Sequence, residues 1–151
     1  MLKETKAFTL VELIIVVIIV GILASLGLTQ YSQIVEKSRL AEANLRIGVM
    51  RAFAHEYYLN NGDMSTITNA DLGISSTACA STDFYSYYVK PYSNYVDLLA
   101  SRCTSGGKAP NASKGYVYGL KYYPSTGQSN WECKNTGTYD PCFGLSVAFN
   151  L

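Results

Sequence analysis

One uninterrupted apolar run near the start of the chain constrains the fold more than any other feature. Residues 8–28 read FTLVELIIVVIIVGILASLGL and contain a single charged side chain, Glu12. As an α-helix this run is about 30 Å long, which is the thickness of the hydrocarbon core of a bilayer. An unpaired carboxylate in such a helix costs about 2 to 3 kcal/mol. We therefore predict a membrane-spanning helix, with Glu12 as the first candidate functional residue.

A short basic segment precedes the apolar run. Residues 1–7, MLKETKA, are too few for a domain and include Lys3 and Lys6. An ordinary secretory signal is cleaved after its apolar region, whereas the small residue Ala7 stands before this one. Cleavage after Ala7 would remove a leader and leave the helix attached. By the positive-inside rule, the two lysines place the leader in the cytoplasm and the bulk of the chain outside.

The junction between this leader and the helix resembles the N-terminal signature of type IV pilins and of the related pseudopilins of type II secretion systems. The shared features are a short basic leader, a small residue before Phe8, Glu12 at the fifth position after the cut, and a long apolar run that includes Gly21. The resemblance implies cleavage between Ala7 and Phe8 by a prepilin peptidase, N-methylation of Phe8, and assembly into a helical filament.

Two positions depart from the usual pattern of that family. Most members have Gly where this chain has Ala7, and many have Pro where it has Thr29. Proline removes a backbone donor and clashes with the preceding turn, so its absence removes a cause of kinking. We expect the helix to continue through Thr29 with less interruption than in the members that have this proline.

Helical spacing of apolar residues persists to about residue 60. These residues fall three or four apart and form one stripe, with charged side chains off it, so we predict that the stripe packs on a globular head. Asn60, Asn61 and Gly62 form a helix stop, because Asn and Gly tolerate the left-handed conformation of a C-cap. The stripe comprises Tyr31, Ile34, Val35, Ser38, Ala41, Leu45, Val49, Ala52, Phe53 and Tyr57.

Segments rich in Tyr, Val and Phe, separated by Gly, Pro, Asn and Ser, predict strands in the second half of the chain. They are residues 84–90, 95–103, 116–123 and 143–149, of which the second also suits a helical turn. An antiparallel sheet of these strands laid on the helix makes a two-layer head. The fold class is therefore α+β, with a long N-terminal helix packed on a small antiparallel β-sheet, which is the pilin architecture.

The length suits one membrane helix and one domain with a modest core. We expect residues 1–7 to be the cleaved leader, 8–28 the transmembrane and filament-core helix, and 29–61 its amphipathic continuation. Residues 62–151 then form the globular head, with a connector loop, the sheet and a C-terminal disulfide loop.

Four cysteines, all on the outward side of the predicted span, suggest disulfides, for which three connectivities are possible. We favour Cys133 with Cys142, closing a short loop, and Cys79 with Cys103, joining the connector to the sheet. The first pair resembles the C-terminal disulfide loop of many type IV pilins. The alternative is a zinc site made by all four thiolates, but such sites usually contain close CxxC pairs, which this sequence lacks.

Charge and motifs exclude several classes of function. Without residues 1–7 the chain carries ten basic and ten acidic side chains, so it has no basic field for nucleic-acid binding. His55 lacks the second histidine of a zinc-protease helix, and residues 106–108 lack the spacing of a phosphate-binding loop. The tyrosines suit a half-buried sheet, with a stacked-aromatic electron path or a sugar-binding face as alternatives. We expect no catalytic, cofactor-binding or metal site and no enzymatic activity.

The function we expect is that of a structural filament subunit, a homo-oligomer held first in the bacterial inner membrane. The resemblance implies that an assembly ATPase and a membrane platform protein supply the work. A pseudopilin of a type II secretion system, in a periplasmic filament, is the alternative to an extracellular pilus. A third hypothesis is a monomeric membrane-anchored binding protein. Such an anchor has no use for an acid such as Glu12 in its membrane segment.

Overall fold

The computed structural model describes residues 9–112, 115–135 and 142. One long helix is followed by a connector, residues 62–84, which contains a short 3-10 turn. The strands come after the connector. The elements are α1 (Leu10–Asn61), the turn Ala70–Leu72, β1 (Tyr85–Pro91), β2 (Val96–Arg102), β3 (Tyr116–Tyr123) and β4 (Gln128–Asn135). The chain divides into two compact units between Ser38 and Arg39. We call the described part of the second unit the head.

Helix α1 continues through Thr29 without a break, as expected from the absence of proline. The helix ends where Gly62 takes a left-handed conformation, with φ +73°. The Gly62 N–H donates to the Tyr58 carbonyl at 2.8 Å, and the Asn61 side chain donates to the Tyr57 carbonyl at 2.9 Å. The first bond satisfies a carbonyl of the last helical turn, and both bonds agree with the helix stop expected at this point.

The head contains an antiparallel sheet in the order β1-β2-β3-β4. Sequential neighbours pair throughout, with Val89 opposite Leu98 and Leu98 opposite Leu120. The first three predicted strands are confirmed to within a residue at each end, and the helical alternative for the second is wrong. The α+β fold class is likewise confirmed.

The edge strand β4 was not expected from sequence. Its residues, QSNWECKN, include few strand formers, and Cys133 alone among them is fully buried. Pairing with β3 places Trp131 opposite Leu120, so tertiary hydrogen bonding outweighs local propensity here. The strand expected at residues 143–149 lies outside the described residues.

The core of the head lies between α1 and one face of the sheet. The helix buries a face whose residues are spaced three and four apart: Leu40, Ala43, Ile47, Met50 and Ala54. These side chains belong to the same cluster as Tyr85, Leu98 and Tyr118. Small residues at two of the five positions allow the helix to approach the sheet closely.

The stripe predicted to pack on the head is on the wrong side of the helix. Leu45 is 75% exposed, Val49 49% and Phe53 41%. At 3.6 residues per turn, these positions lie roughly opposite Ala43, Ile47 and Ala54. The helix therefore has two apolar faces within the head, and the head covers the one that the sequence prediction did not select.

Candidate assembly site

A reciprocal pair of hydrogen bonds starts α1. The Thr9 N–H and hydroxyl donate to Glu12 Oε2 at 2.9 and 2.7 Å, and the Glu12 N–H donates to Thr9 Oγ1 at 3.3 Å. This is a capping box, in which the side chain of each residue accepts a hydrogen bond from the backbone N–H of the other. Its signature, a Thr followed three residues later by Glu before an apolar run, is legible in the sequence but was not used to interpret Glu12.

The surface that follows Glu12 is almost entirely apolar and exposed. Every large apolar side chain from Leu10 to Leu26 is at least 45% exposed. Among the described residues, Leu10–Gly27 is the helix segment that is long and apolar enough to cross a membrane. An apolar patch of this size is not stable in water and marks a surface for lipid or for another protein.

The two residues of the expected cleavage site, Ala7 and Phe8, lie outside the described residues. Of the sequence-predicted residues for processing and assembly, the structure therefore places Glu12, exposed on the first turn of α1. Its carboxylate is within reach of a group on another molecule while it caps its own helix.

The structure brings the four cysteines together in two disulfides, Cys79–Cys103 and Cys133–Cys142, the same pairs that were favoured from the sequence. Their Cα atoms are 5.9 and 5.5 Å apart. The first disulfide joins the connector to the end of β2 and the second starts from β4. With all four thiols oxidised, the alternative of a four-thiolate zinc site is not supported.

Arg102 organises the loop after β2, next to the first disulfide. Its guanidinium is buried and donates to the carbonyls of Phe84, Cys103 and Ala109 at 3.0, 3.2 and 2.7 Å. Charged donors give stronger hydrogen bonds than neutral ones, so this side chain ties the loop to the sheet. The sequence predicted the disulfide but not the role of Arg102, because these three carbonyl acceptors are backbone atoms that carry no residue-specific signal.

His55 has a structural partner. Its Nδ1 lies 2.8 Å from the Tyr122 hydroxyl, and the Arg51 guanidinium lies 5.2 Å from the centroid of the Tyr122 ring. Within the described part of the chain, no group of three His, Cys, Asp or Glu side chains is placed to hold a metal ion. His55 therefore joins the helix to β3 in the head.

A charged cluster surrounds the buried Asp97 on the face of the sheet that points away from the Leu98 side chain. Asp97 is 1% exposed and pairs across the sheet with Lys90 and Lys121, and Lys121 Nζ lies 3.4 Å from Glu132 Oε1. Burial raises the pKa of Asp97 to about 6 against the pull of the two lysines, and Glu132 adds to the rise. Asp97 Oδ1 and Glu132 Oε2 accept no hydrogen bond from the described residues.

Comparison with known proteins identifies the N-terminal pattern. Residues 2–28 match the family model described as the prokaryotic N-terminal methylation motif. This stretch contains the basic leader, the capping box and the exposed apolar surface of Leu10–Leu26. It ends within α1 and does not reach the head.

Relatives of known name extend the similarity over the head. The chain is 32% identical over 136 residues to the fimbrial protein EcpC of Eikenella corrodens, covering 89% of this chain and 86% of that protein. It is 32% identical over 128 residues to the fimbrial protein of Neisseria meningitidis serogroup A, covering 85% and 72%. The type IV major pilin protein PilE1 of Neisseria gonorrhoeae is also 32% identical over 128 residues, covering 85% and 74%. With this motif, this fold and this coverage, the chain belongs to the type IV pilin family.

Proposed function

We propose that this pilin is the subunit of a surface pilus rather than of a periplasmic secretion filament. The observation that carries the role as a filament subunit is the exposed apolar surface of Leu10–Gly27, headed by the acid Glu12. Such a surface is stable in lipid before assembly and in the core of a filament afterwards. The names of the relatives, which are fimbrial proteins and a major pilin, favour a surface pilus. Because these relatives are structural proteins, they also favour a function without enzymatic activity.

Processing is the first step of the proposal. A prepilin peptidase cleaves between Ala7 and Phe8, and the new amine of Phe8 is methylated. The match to the methylation motif supports this step. Residues 1–7 then leave the chain, and residues 8–28 remain as its membrane segment.

The order of assembly follows from the chemistry of the segments. The precursor lies in the inner membrane with its leader in the cytoplasm, because Lys3 and Lys6 precede the apolar run. An assembly ATPase and a platform protein then extract the subunit. In the filament, Glu12 pairs with the Phe8 amine of a neighbouring copy. Each charge is costly alone in an apolar core, so the pair selects one axial offset between helices.

Mass spectrometry and electron microscopy test this proposal together. The protein is expressed in a pilus-forming host, the surface fibres are sheared off, and the intact subunit mass is measured. We expect the loss of MLKETKA and the gain of one methyl group in a subunit recovered from long surface fibres. An intact Met1 terminus contradicts the processing step. Processed protein that is found only in the cell envelope, without surface fibres, contradicts the assignment to a pilus and favours the pseudopilin.

A further inference from the structure

The charged cluster around Asp97 brings two carboxyl groups and a primary amine together from three neighbouring strands. Asp97 on β2 lies directly opposite Lys121 on β3, so their Cβ atoms are about 5 Å apart. Glu132 on β4 lies on the other side of Lys121, with Oε1 3.4 Å from the Lys121 Nζ. A lysine side chain is long enough to carry its amine from the Glu132 carboxylate to the Asp97 carboxyl carbon.

The cluster is shielded from water. Asp97 is 1% exposed, and the side chains of Lys121 and Glu132 are 18% and 12% exposed. On the same face of β2 the next residue is Leu99, which is fully buried. Gly119 lies opposite both Leu99 and Glu132, and because it has no side chain it leaves room for the Glu132 side chain over β3. The amine and the acids therefore meet in a dry environment.

The acids of this cluster are incompletely paired. Asp97 Oδ1 and Glu132 Oε2 are buried and accept no hydrogen bond from the described residues. Burial raises the pKa of Asp97 to about 6, and the charge of Glu132 adds to this effect, so the neutral acid form of Asp97 is accessible near neutral pH. A neutral, fully paired group at this position is more stable than a buried charge that lacks a partner.

We propose that Lys121 and Asp97 condense to an amide bond within the chain, with Glu132 as the proton relay. A bond forms between Lys121 Nζ and Asp97 Cγ, one Cγ–O bond of Asp97 breaks, and its oxygen leaves as water. Glu132 takes a proton from the Lys121 ammonium and passes it to Asp97, and the free amine then attacks the neutral acid. Of the three ammonium protons, one stays on the amide nitrogen and two leave in the water. The reaction is a condensation and involves no change in oxidation state.

The fold favours this reaction in three ways. The pairing of β2 with β3 holds the amine and the acid side by side, which gives them a high effective concentration. Exclusion of water favours condensation over hydrolysis and removes two charges from a buried site. The product also improves the pairing of polar atoms, because Asp97 loses one oxygen and the new amide N–H is left beside the Glu132 carboxylate.

Lys121 is the reacting amine rather than Lys90, which lies opposite Asp97 on β1. The Lys90 amine lies over the Tyr92 ring, 6.0 Å from its centroid, whereas Glu132 contacts the Lys121 amine. A lysine becomes a nucleophile when a neighbouring base takes its proton. The structure provides that base for Lys121.

Proton transfer from Lys121 limits the rate of condensation. Burial lowers the pKa of Lys121, but the charges of Glu132 and Asp97 raise it, and the net change is upward. The ammonium is therefore the resting form, and we expect condensation to be slow compared with folding. A chain that has not condensed keeps Asp97 as a titrating acid. After condensation, β2 and β3 are joined by a bond that reducing agents do not break, unlike the two disulfides.

Mass spectrometry of the full chain tests this proposal. The detergent-solubilised protein is kept folded, as checked by Trp131 fluorescence, and its intact mass is followed with time. We expect a species that is lighter by one water. After reduction and digestion with trypsin, the peptide containing Asp97 should be joined to the one containing Lys121, without cleavage after Lys121. Unchanged mass in the aged, folded protein overturns the proposal. Water loss without joined peptides indicates a cyclic imide at an aspartate and also overturns it.

Two lysine variants form a matched pair. Lys121→Arg and Lys90→Arg both keep a positive charge opposite Asp97, but arginine does not condense with a carboxyl group. We expect the Lys121→Arg protein to keep its full mass and the Lys90→Arg protein to lose water as fast as the wild type. A bond that maps to Lys90, or water loss with joined peptides in Lys121→Arg, contradicts the assignment of the amine.

The role of Glu132 is tested by Glu132→Gln, which keeps the shape of the side chain and removes the proton acceptor. We expect water loss to slow by about a hundredfold or more. Water loss at the wild-type rate contradicts the relay. Because the bond forms within one chain, these results do not depend on whether the protein forms filaments, so the proposed pilus function and this inference can fail separately.

Discussion

Thr9 and Glu12 bond to each other in both directions at the start of α1, and Glu12 Oε2 accepts two of the three hydrogen bonds. The acid therefore has a function within a single chain, as half of a capping box. A lone acid in the apolar run does not by itself distinguish a filament subunit from a single membrane anchor. The two roles of Glu12 are compatible, but they depend on different properties, since capping needs an oxygen acceptor and assembly needs a charge.

The first prediction separates these two roles of Glu12. Glu12→Gln keeps an acceptor suitable for the capping box and removes the charge, so helix content should be unchanged while entry into filaments falls. Thr9→Val removes the hydroxyl and weakens the cap by about 1 kcal/mol, but keeps the charge for assembly. Each variant is expressed beside an isotopically labelled wild-type chain, and mass spectrometry of purified filaments gives the fraction of each.

We expect the Glu12→Gln protein to be inserted into the membrane, cleaved and nearly absent from these filaments, and the Thr9→Val protein to be present. Abundant, normal filaments made only of the Glu12→Gln protein contradict the role of the charge. If Thr9→Val is the only one of the two variants that is incorporated poorly, the cap and not the charge limits assembly.

The second prediction concerns the two disulfides. Cys79–Cys103 spans 24 residues and Cys133–Cys142 spans 9. In the chain-entropy model, replacing the first pair by serine lowers the free energy of unfolding by about 3.5 kcal/mol and replacing the second by about 2.5 kcal/mol. Trp131, stacked on Tyr118 at 5.0 Å between ring centroids, provides a fluorescence probe of head unfolding in the detergent-solubilised full chain. A larger loss from the second pair shows that native contacts outweigh loop length.

The third prediction compares two glycines that have nearly the same positive φ. Gly107 and Gly127 have φ of +70° and +72°. A Cβ at Gly107 would lie 2.8 Å from Cys103 Cβ and 2.9 Å from Cys103 Sγ, whereas nothing lies within 4 Å of one at Gly127. Gly127→Ala lowers the free energy of unfolding by the left-handed strain alone, about 1 to 2 kcal/mol. Gly107→Ala adds to this strain a clash with the disulfide. Urea unfolding followed by Trp131 fluorescence should rank Gly107→Ala as the less stable variant. Equal losses would show that the loop moves to accept the methyl group.

The fourth prediction concerns pH. The pKa of Asp97 is raised to about 6 in the folded head, above its ordinary value of 3.8. Between these values the folded state binds more protons than the unfolded state, so the contribution of Asp97 to stability is present at low pH and is lost as the pH rises through 6. Asp97→Asn abolishes this loss. Its melting temperature relative to wild type should therefore be higher at pH 7.5 than at pH 4.

Asp71 provides a control of opposite sign for that experiment. The hydroxyl and N–H of Thr68 donate to Asp71 Oδ2 at 2.6 and 2.8 Å and lower the pKa of this exposed carboxyl. The contribution of Asp71 to stability is present above the ordinary pKa of an aspartate and is lost as the pH falls. Asp71→Asn should therefore lower the melting temperature more at pH 7.5 than at pH 3. The same pH trend in both variants contradicts the effect of burial on Asp97.

Residue types with strong local preferences were sufficient to predict much of this protein. The run of apolar residues from Phe8 to Leu28 predicted a helix long and apolar enough to span a membrane, and Leu10–Gly27 meets that requirement. Asn61 and Gly62 predicted the helix end from their backbone preferences. The Tyr- and Val-rich segments predicted β1, β2 and β3. The positions of the cysteines favoured the two pairs that are bonded, and the resemblance to pilins supported the Cys133–Cys142 pair.

The tertiary structure decided what local preference leaves open. Helical periodicity shows that a face is apolar but not what covers it, and α1 has two such faces. The spacing of Leu40, Ala43, Ile47, Met50 and Ala54 was visible in the sequence, yet the opposite stripe contains larger side chains and was chosen. The head packs on the first of these faces, all five residues of which belong to its core cluster. Strand β4 and the burial of Asp97 likewise depend on pairing with residues distant in the sequence, which no local pattern encodes.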